Sequence, residues 1–237
     1  MIDFHTHILP NIDDGSSSLD MSYAMIDSVK KQGADSIVLT PHYYFDRESI
    51  SDFISSRKDA LKLLLSDEAK RKQFPDLFLG AEVALFPMMS KMKDIEKLCI
   101  IGTKFMMVEM PYGKWSRASI AEVDNLYTRH GITPIIAHIE RFIASQKGTD
   151  NIESLLGLDV LIQMNCGAIE KKFFNRTNHN LVKTGRIDLI GTDCHNMTTR
   201  KPNMDIGIKY ITNHFGISML NEIDKCGRDV LKNASRY

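Results

Sequence analysis

The chain has 237 residues, and its 30 lysines and arginines balance its 30 aspartates and glutamates. This balance gives no indication of a nucleic-acid or membrane surface. The longest apolar runs, such as residues 132–137, are far too short to span a bilayer. We expect no signal peptide, because a strand starts at the first residues, and the four scattered cysteines fit a reducing cytoplasm. The length is ordinary for one α/β domain, so we expect residues 1–237 to form a single domain.

Strand and helix patterns alternate about seven times along the chain. The predicted strands are residues 1–7, 36–40, 77–83, 105–110, 132–137, 159–164 and 187–192. The first predicted helix begins at the Ser17–Asp20 capping box and ends at Gly33. The other helices with clear bounds are residues 48–72, 88–98 and 116–130, and two more follow residue 205. Gly131 is predicted to cap the helix at 116–130. This alternation predicts a parallel sheet with helical crossovers.

Polar residues mark six of these strands at or near their ends, and no glycine-rich nucleotide loop follows any strand. A (β/α) barrel collects its active-site residues from the C-terminal ends of many strands. An open, doubly wound sheet would instead concentrate its ligands near one switch point. A closed or nearly closed barrel is therefore the favoured architecture.

The first strand carries a possible metal-binding pair. Because side chains alternate along a strand, His5 and His7 share one face and Phe4 lies on the other. Two imidazoles at this spacing are well placed to bind a metal ion, and Asp3 on the same face could accept a hydrogen bond from one ring. A lone His-x-His is usually an ordinary strand, but similar clusters recur further along this chain.

The later clusters consist of histidines and carboxylates within or just after apolar strands. They are His42, Glu82, Glu109, His138, Asp193 and His195. Glu82 and Glu109 stand in otherwise apolar segments, where a buried carboxylate is costly unless it is paired or bound to metal. The loop after His7 contains Asp13 and Asp14, which fit either a simple turn or a carboxylate that bends back to the histidines.

The candidate ligands are more numerous than the coordination sites of one cation. They are His5, His7, Asp14, His42, Glu82, Glu109, His138, Asp193 and His195. Such a set predicts two or three ions with bridging ligands. Because the set contains imidazoles and carboxylates but no thiolate, it suits Mn, Fe or Zn. Three divalent ions with the four carboxylates leave two positive charges, which match a phosphomonoester dianion.

Two arginines follow these clusters closely. Arg141 lies just after His138 and Arg200 just after His195, where they could hold phosphate oxygens in a fork geometry. For either arginine alone, a surface role is the alternative. The combination predicts metal-assisted phosphomonoester hydrolysis in which water attacks phosphorus directly. Asp13 or a histidine of the site, such as His42 or His195, could serve as the general acid.

The motifs resemble those of the polymerase and histidinol phosphatase (PHP) superfamily, and within it the bacterial metal-dependent tyrosine phosphatases of the CpsB/CapC/YwqE type. The matching segments are Asp3–His7, Asp13–Gly15, Thr40–His42, Gly80–Glu82, Ala137–Arg141 and Asp193–His195. They occur in the family's order from residue 1 to about residue 202. Six ordered motifs are a more specific signal than any single one.

The resemblance implies a distorted (β/α)7, TIM-like barrel with the PHP fold and three metal ions, usually manganese. The implied ligands are His5, His7, Glu82 and Asp193 for the first ion, Glu82, Glu109 and His138 for the second, and Asp14, His42 and His195 for the third. Arg141 and Arg200 would bind phosphate. The implied substrate is the tyrosine-rich tail of a bacterial tyrosine autokinase that controls capsule or exopolysaccharide synthesis. The Tyr43–Phe45 run departs from the family pattern. The aromatic rings of this run, together with those of Tyr112 and Trp115, would either contact a phosphotyrosine ring or belong to the core or rim.

Several alternatives stay open at this point. Cys194 and Arg200 have the Cys-x5-Arg spacing of cysteine-dependent tyrosine phosphatases, but the intervening residues contain no glycine to curl around phosphate. A small-molecule phosphatase acting on histidinol phosphate is the closest alternative within the superfamily. A nuclease is disfavoured by the neutral charge, and a non-catalytic metal-binding scaffold is a third reading. The sequence carries no clear signal of oligomeric state.

Overall fold

The computed structural model describes residues 1–168 and 176–237. Its strands are β1 (Ile2–Thr6), β2 (Ser36–Leu39), β3 (His42–Tyr43), β4 (Asp76–Leu79), β5 (Glu82–Ala84), β6 (Phe105–Glu109), β7 (Thr133–Ile136), β8 (Leu161–Asn165) and β9 (Leu189–Gly191). Every pairing between these strands is parallel. The predicted parallel sheet is thus confirmed.

The strands form two sheets that continue into each other. One has the order β1-β2-β4 and the other the order β3-β5-β6-β7-β8-β9. At the far edges, the backbone N–H of Asp193 donates to the carbonyl of His5 at 2.7 Å, and that of His7 donates to the carbonyl of Cys194 at 3.0 Å. These bonds bring the end of β9 against β1, and the result is a mixed α/β fold around a curled, parallel, half-barrel sheet.

The predicted strand at residues 77–83 is interrupted, which the apolar pattern did not foretell. It consists of β4 and β5, separated by Gly80 and Ala81. The backbone N–H of Gly80 still donates to the carbonyl of Leu39 in β2, but its carbonyl accepts a hydrogen bond of 2.6 Å from the side chain of Arg57. The chain therefore changes sheets at this point, and Glu82 begins the second segment.

The helices are α1 (Leu19–Lys31), α2 (Ile50–Leu64), α3 (Glu68–Arg71), α4 (Arg117–His130), α5 (Asn151–Leu156), α6 (Arg176–Lys183), α7 (Met204–Phe215) and α8 (Ile217–Leu231). The prediction for residues 116–130 is confirmed, with Ser116 as N-cap and Gly131 as a left-handed C-cap. The two helices after residue 205 are also confirmed. In α1 the N-cap is Ser18, whose hydroxyl accepts a hydrogen bond from the Met21 N–H, rather than Ser17.

Two helix predictions were wrong in detail. The segment 48–72 contains two helices, because Asp67 caps a new start at α3. The segment 88–98 contains only short 3-10 turns, Met89–Lys91 and Ile95–Leu98. Met88 and Asp94 precede these turns in left-handed backbone conformations, with φ of 65° and 64°, which interrupt any continuous helix.

The helices cover the outer side of the sheet. Phe4, on the face of β1 opposite the histidines, is 1% exposed and packs in a cluster with Leu189 of β9 and Val230 of α8. Within the part of the chain that the structure describes, no helix is both long and apolar enough to cross a membrane. The contact of Val230 with Phe4 and Leu189 packs α8 on the face of the sheet opposite the histidines.

The contact between α8 and β1 yields a stability prediction. A Cβ atom added at Gly227 would lie 2.6 Å from Phe4 Cε2, so Gly227→Ala forces buried rings to move. We expect the free energy of unfolding to fall by about 1–3 kcal/mol, despite the better helix propensity of alanine. Urea denaturation followed by circular dichroism measures this change. Asp229→Ala, at an exposed position of the same helix, is the control, and equal stability of the two variants would contradict the packing argument.

Candidate metal centre

The nine predicted ligands meet at one edge of the curled sheet, where β1, β6, β7 and β9 end and where β3 and β5 begin. They form four overlapping groups whose nitrogen and oxygen atoms lie within 4.8 Å of one another. The groups are His7, Asp14, His42 and His195; His5, Glu82 and His138; His5, His7 and Asp193; and His42, Glu82 and Glu109. The fold therefore gathers residues from six strand ends into one continuous polar cluster.

The alternation along β1 places His5 and His7 as the sequence predicted. Their Nε2 atoms are 3.2 Å apart, and both rings are fully buried. Glu82 Oε2 lies 3.0 Å from the first of these nitrogens and 3.1 Å from the second. Two imidazole nitrogens and a carboxylate oxygen thus converge on one point.

Asp3 does not contact a histidine ring, so this part of the prediction was wrong. Its carboxylate accepts hydrogen bonds from the backbone N–H and the hydroxyl of Thr192, at 2.8 and 2.7 Å. It also accepts a longer bond from the backbone N–H of His5. The parallel approach of the segment after β9 to β1 brings Thr192 to this carboxylate, and Asp3 therefore joins the first strand to the last.

Gln163, which the sequence analysis missed, orients His5. Its Oε1 atom accepts a hydrogen bond of 2.7 Å from the backbone N–H of His138 and lies 3.2 Å from His5 Nδ1. A backbone N–H can only donate, so the facing atom is the amide oxygen, and His5 Nδ1 carries a proton. The lone pair of His5 then lies on Nε2, toward the centre. The only sequence signal was a polar residue within the apolar strand β8.

Gln163 also starts a chain of contacts to a second candidate ligand. Its Nε2 donates to Asn165 Oδ1 at 3.0 Å, and Asn165 Nδ2 donates to Asp193 Oδ2 at 2.9 Å. The end of β8 thus holds His5, His138 and Asp193 in fixed relative positions. Such outer contacts set the orientation and basicity of metal ligands.

The loop after β1 bends back to the histidines, which is one of the two alternatives that the sequence left open. Asp13 Oδ2 lies 2.7 Å from His7 Nδ1 and accepts the backbone N–H of His42, while Oδ1 accepts the N–H of Gly15. Burial raises the pKa of Asp13, but these bonds outweigh burial and lower it to about 2. Asp13 is therefore a carboxylate that orients His7. Gly15 permits this loop, since an added Cβ would lie 2.3 Å from the His7 carbonyl.

Asp14 lies on the exposed side of the cluster, against the buried ring of His195. Asp14 has a side chain 64% exposed, and its Oδ1 lies 3.3 Å from His195 Nε2 and 3.5 Å from His42 Nε2. His195 Nδ1 is 3.0 Å from the carbonyl of Asp193, which fixes its proton there and leaves Nε2 free to act as a ligand.

Glu82 lies at the middle of the buried side. Its Oε1 is 2.7 Å from His138 Nε2, and its Oε2 is 3.1 Å from His42 Nδ1. Glu109, from the neighbouring strand β6, approaches His138 Nε2 at 3.4 Å. Two strands thus bring their carboxylates to the same imidazole.

The backbone is strained at two of these residues. His138 and Asp193 adopt left-handed conformations, with φ of 33° and 52°. Such conformations cost about 1–3 kcal/mol for residues other than glycine and concentrate at functional sites. Each residue lies two positions after the last residue of a strand, β7 or β9, and the turn directs its side chain into the cluster instead of along the sheet.

The donor atoms fit divalent cations. Among the described residues, none forms a hydrogen bond of good geometry with Glu82 Oε2, His42 Nδ1 or His195 Nε2, although all three atoms are buried. Burial raises the pKa of Glu82, but His5 and His138 outweigh it, and the carboxyl pKa lies well below its usual range. Asp193 is likewise ionised, because His5, His7 and Arg141 outweigh its burial and lower its pKa. Ionised carboxylates that face imidazole nitrogens are the ligand chemistry of Mn, Fe and Zn.

The two predicted arginines both contact Asp193. Arg141 Nη2 forms an ion pair with Asp193 Oδ2, and Arg200 Nη2 lies 3.0 Å from Oδ1. Arg200 Nη1 also lies 3.5 Å from Asp14. Their side chains are 29% and 37% exposed, so each guanidinium joins the buried cluster to the surface.

A pocket of about 320 Å³ opens above the cluster. Its charged lining residues are Asp14, His42, Glu109, Arg141 and Arg200, and its other walls include Tyr44, Leu85, Met110 and Tyr112. Of the aromatic candidates, Tyr43 and Trp115 are buried in the core at 0% and 5% exposure. Tyr44 and Tyr112 therefore supply the aromatic walls.

Cys194 is unsuited to be a nucleophile. Its side chain is completely buried and packs in the apolar cluster that contains Ile8 and Leu39. Burial raises the pKa of this thiol well above its usual value, and the nearby Asp3 and Asp193 carboxylates raise it further. The Cys-x5-Arg spacing is thus not part of a phosphate-binding loop.

Fold and cluster together define the class: an α/β protein whose curled parallel sheet carries a histidine and carboxylate centre suited to several divalent ions. The profile of the family described as "Capsular polysaccharide synthesis, CpsB/CapC" matches residues 1–231. The chain belongs to this family.

Similar proteins span the whole chain. The tyrosine-protein phosphatase CpsB of Streptococcus agalactiae serotype V is 28% identical over 245 residues, covering 98% of this chain and 99% of the relative. The tyrosine-protein phosphatase YwqE of Bacillus subtilis is 24% identical, covering 100% of this chain and 94% of its own. A solved structure reported for YwqE and for CpsB of Streptococcus pneumoniae, titled as metal-dependent tyrosine phosphatases, superposes with a TM-score of 0.82 at 23% identity. It covers 100% of this chain and 97% of that one, and it confirms the fold.

The role of Gln163 can be tested through metal affinity. Gln163→Leu keeps the approximate side-chain size but removes the oxygen that holds His5 and the His138 backbone. We expect Mn²⁺ affinity to fall about 10–100-fold, as is common for the loss of an outer contact to a metal ligand. Isothermal titration calorimetry measures the affinity, and Gln73→Leu, at an exposed position, is the control. Unchanged affinity in a folded Gln163→Leu protein would refute this role.

Proposed function

We propose that this protein is a metal-dependent protein-tyrosine phosphatase. The observation that carries the proposal is the cluster of nine candidate ligands beneath a pocket that also contains Arg141 and Arg200. The names of its relatives CpsB and YwqE agree with this activity. Phosphomonoester hydrolysis is a reaction in which clustered divalent ions and arginines act together on a phosphoryl group.

We infer that three ions are held, with manganese as the preferred metal and iron or zinc as alternatives. His5, His7, Glu82 and Asp193 would hold one ion, Glu82, Glu109 and His138 a second, and Asp14, His42 and His195 a third. Glu82 would bridge two ions, which agrees with its two oxygens facing different imidazoles. When bound, the ions would activate water and neutralise charge on the phosphoryl group.

Arg141 and Arg200 would bind the phosphoryl oxygens. Both side chains line the pocket and lie next to Asp193, so the phosphate would enter beside the proposed first ion. A guanidinium presents two parallel donors, which suits the equatorial oxygens as charge develops on them. The same two arginines would therefore orient the ester and stabilise the transition state.

The surroundings of Asp13, His42 and His195 do not favour any of these three residues as the general acid. Asp13, with a pKa of about 2, is ionised and engaged with His7. Burial lowers the pKa of His42, and burial together with His7 lowers that of His195 to about 3, so both rings are neutral near pH 7. Neutral rings suit metal ligands. We propose that solvent protonates the departing phenolate, which is a good leaving group compared with an alkoxide.

The aromatic walls favour an aryl ester. Tyr44 and Tyr112 border the pocket, while its inner surface is charged. A phosphotyrosine side chain combines an apolar ring with a dianion in the same arrangement. We further propose that the substrate is the tyrosine-rich tail of a bacterial tyrosine autokinase in the cytoplasm, in keeping with the family's description as capsular polysaccharide synthesis. Cys99, Cys166, Cys194 and Cys226 are all free, which agrees with a reducing compartment.

We also propose that the sheet is best counted as a distorted (β/α)7 barrel. The segments β2 and β3 follow one path through the sheet, as do β4 and β5, so that nine short strands occupy seven positions. The hydrogen bonds between His5 and Asp193 would close the ring. The changes of neighbour at residues 40–41 and 80–81 account for the distortion.

The first test is phosphate release from a phosphotyrosine peptide by purified protein. We expect EDTA to abolish the release and added Mn²⁺ to restore it, because bound ions would activate the attacking water and neutralise charge on the phosphoryl group. A phosphoserine peptide and histidinol phosphate serve as comparison substrates. Preference for histidinol phosphate would indicate a small-molecule phosphatase, and metal binding without turnover on any ester would indicate a scaffold.

Cys194 and Asp193 provide a test of the nucleophile. Cys194→Ser should retain most of the activity, because the thiol lies in the apolar core, whereas Asp193→Asn should lose at least about 100-fold through its metal and arginine contacts. Steady-state kinetics with matched metal content measures both variants. An inactive Cys194→Ser protein that still binds metal, or inactivation of the wild type by a thiol alkylator, would contradict direct attack by water.

A further inference from the structure

Two loops beside the pocket present apolar side chains to solvent. Phe45 follows β3 and is 49% exposed, and Met88 follows β5 and is 58% exposed. The Phe45 ring stacks on Phe86, with ring centroids 4.5 Å apart and an angle of 12° between the planes. We call Phe45, Phe86 and Met88 the apolar ledge. Exposed apolar clusters of this kind commonly mark interaction sites, because burying them is favourable.

The ledge continues the wall of the pocket. Tyr44 and Leu85 line the pocket, and each directly precedes a ledge residue in sequence. The two loops thus pass from pocket wall to outer surface at the same place. The stacked rings of Phe45 and Phe86 tie these loops together.

A protein substrate must cross this surface. When a phosphotyrosine side chain enters the pocket, its backbone remains at the rim, and an extended chain advances about 3.3–3.6 Å per residue. Side chains one to three residues from the phosphotyrosine are therefore within reach of the ledge. A free aryl phosphate or another small ester would enter the pocket without touching it.

The chemistry of the ledge selects an apolar occupant. Its three side chains carry no charge, and the nearest basic residue in sequence, Arg47, places its guanidinium 4.1 Å from the Tyr44 ring centroid. The charged groups of the site lie within the pocket. An aromatic or aliphatic side chain gains most from such a surface, since stacked rings offer both area and favourable ring geometry.

We propose that the apolar ledge binds an apolar side chain, preferably aromatic, located within three residues of the phosphotyrosine in the substrate polypeptide. This inference rests on the proposed function and adds a sequence preference to it. A second copy of this chain is the competing occupant. The ledge would thus distinguish among phosphotyrosines by their neighbours, while the pocket recognises the phosphorylated ring.

The test measures binding separately from turnover. Two fluorescent peptides carry a non-hydrolysable phosphonate analogue of phosphotyrosine, flanked by phenylalanine and leucine in one and by serine and aspartate in the other. Fluorescence anisotropy gives the Kd of each peptide for the Mn²⁺-loaded wild type, Phe45→Ser and Met88→Ser. We expect the wild type to bind the apolar peptide about 5–10-fold more tightly, and each substitution to reduce this ratio toward one.

Ile217→Ser is the matched control. Ile217 is 58% exposed, as Met88 is, but it begins α8 and belongs to neither loop of the ledge. It should leave the ratio unchanged. Hydrolysis of phenyl phosphate by the same variants should also be unchanged, since this small ester does not reach the ledge.

The other outcomes overturn the proposal in distinguishable ways. Equal Kd values for both peptides would show that the ledge does not take part in substrate recognition. A ratio of the two Kd values that is unchanged by Phe45→Ser and Met88→Ser would show the same. A change in molar mass by light scattering for the ledge variants alone would assign the surface to a self-interface. In either case, hydrolysis of phenyl phosphate tests the phosphatase activity independently of the ledge. If the wild type does not hydrolyse phenyl phosphate, the proposed function is rejected, and the proposal about the ledge is not the cause of that failure.

Discussion

The rest of the site depends on how three imidazoles are oriented. His5, His7 and His195 each have Nδ1 next to an oxygen atom, supplied by Gln163, Asp13 and the Asp193 backbone respectively. Their Nε2 atoms must then face inward, toward carboxylates that are ionised. Without a cation between them, the carboxylates hold a proton on an imidazole instead, and hydrogen bonds to Asp13, Asp193 and Glu82 raise the pKa of His7 well above its usual value despite burial. A divalent ion would take the place of that proton. The arrangement is therefore complementary to cations, and the fold supplies the rigid support that holds it.

That support comes from elements with separate tasks. The curled sheet brings the strand ends together, and left-handed turns at His138 and Asp193 direct two side chains inward. The amides at the end of β8 fix distances between ligands from different strands. The arginines connect the buried charges to the pocket, so binding of an anionic substrate would change the balance of charge around Asp193. The chemistry thus depends on residues that are not themselves ligands.

The amino-acid sequence predicted much of this arrangement because strand periodicity and strand-end position are local properties. The shared face of His5 and His7 follows from alternation alone. The partner of Asp3 could not be foreseen, since it depends on which strand closes against β1. Gln163 was missed because a single polar residue in a strand gives no sign of what it faces. The break at Gly80 depends on Arg57, a buried side chain from another element, and the left-handed residues that interrupt 88–98 have no local signature in their side chains.

The junction of β1 with the segment after β9 has a consequence for how the protein matures. Asp3 and Thr192 are 189 positions apart, and their hydrogen bonds are among the longest-range contacts of the fold. During synthesis, β1 can pair early with β2, whereas its neighbour on the other side, the segment after β9, is made about 150 residues later than β2. Contacts of such sequence separation form late, because loop closure is costly. Binding of metal by all the candidate ligands would therefore follow this closure, and bound metal would slow the separation of β1 from the segment after β9.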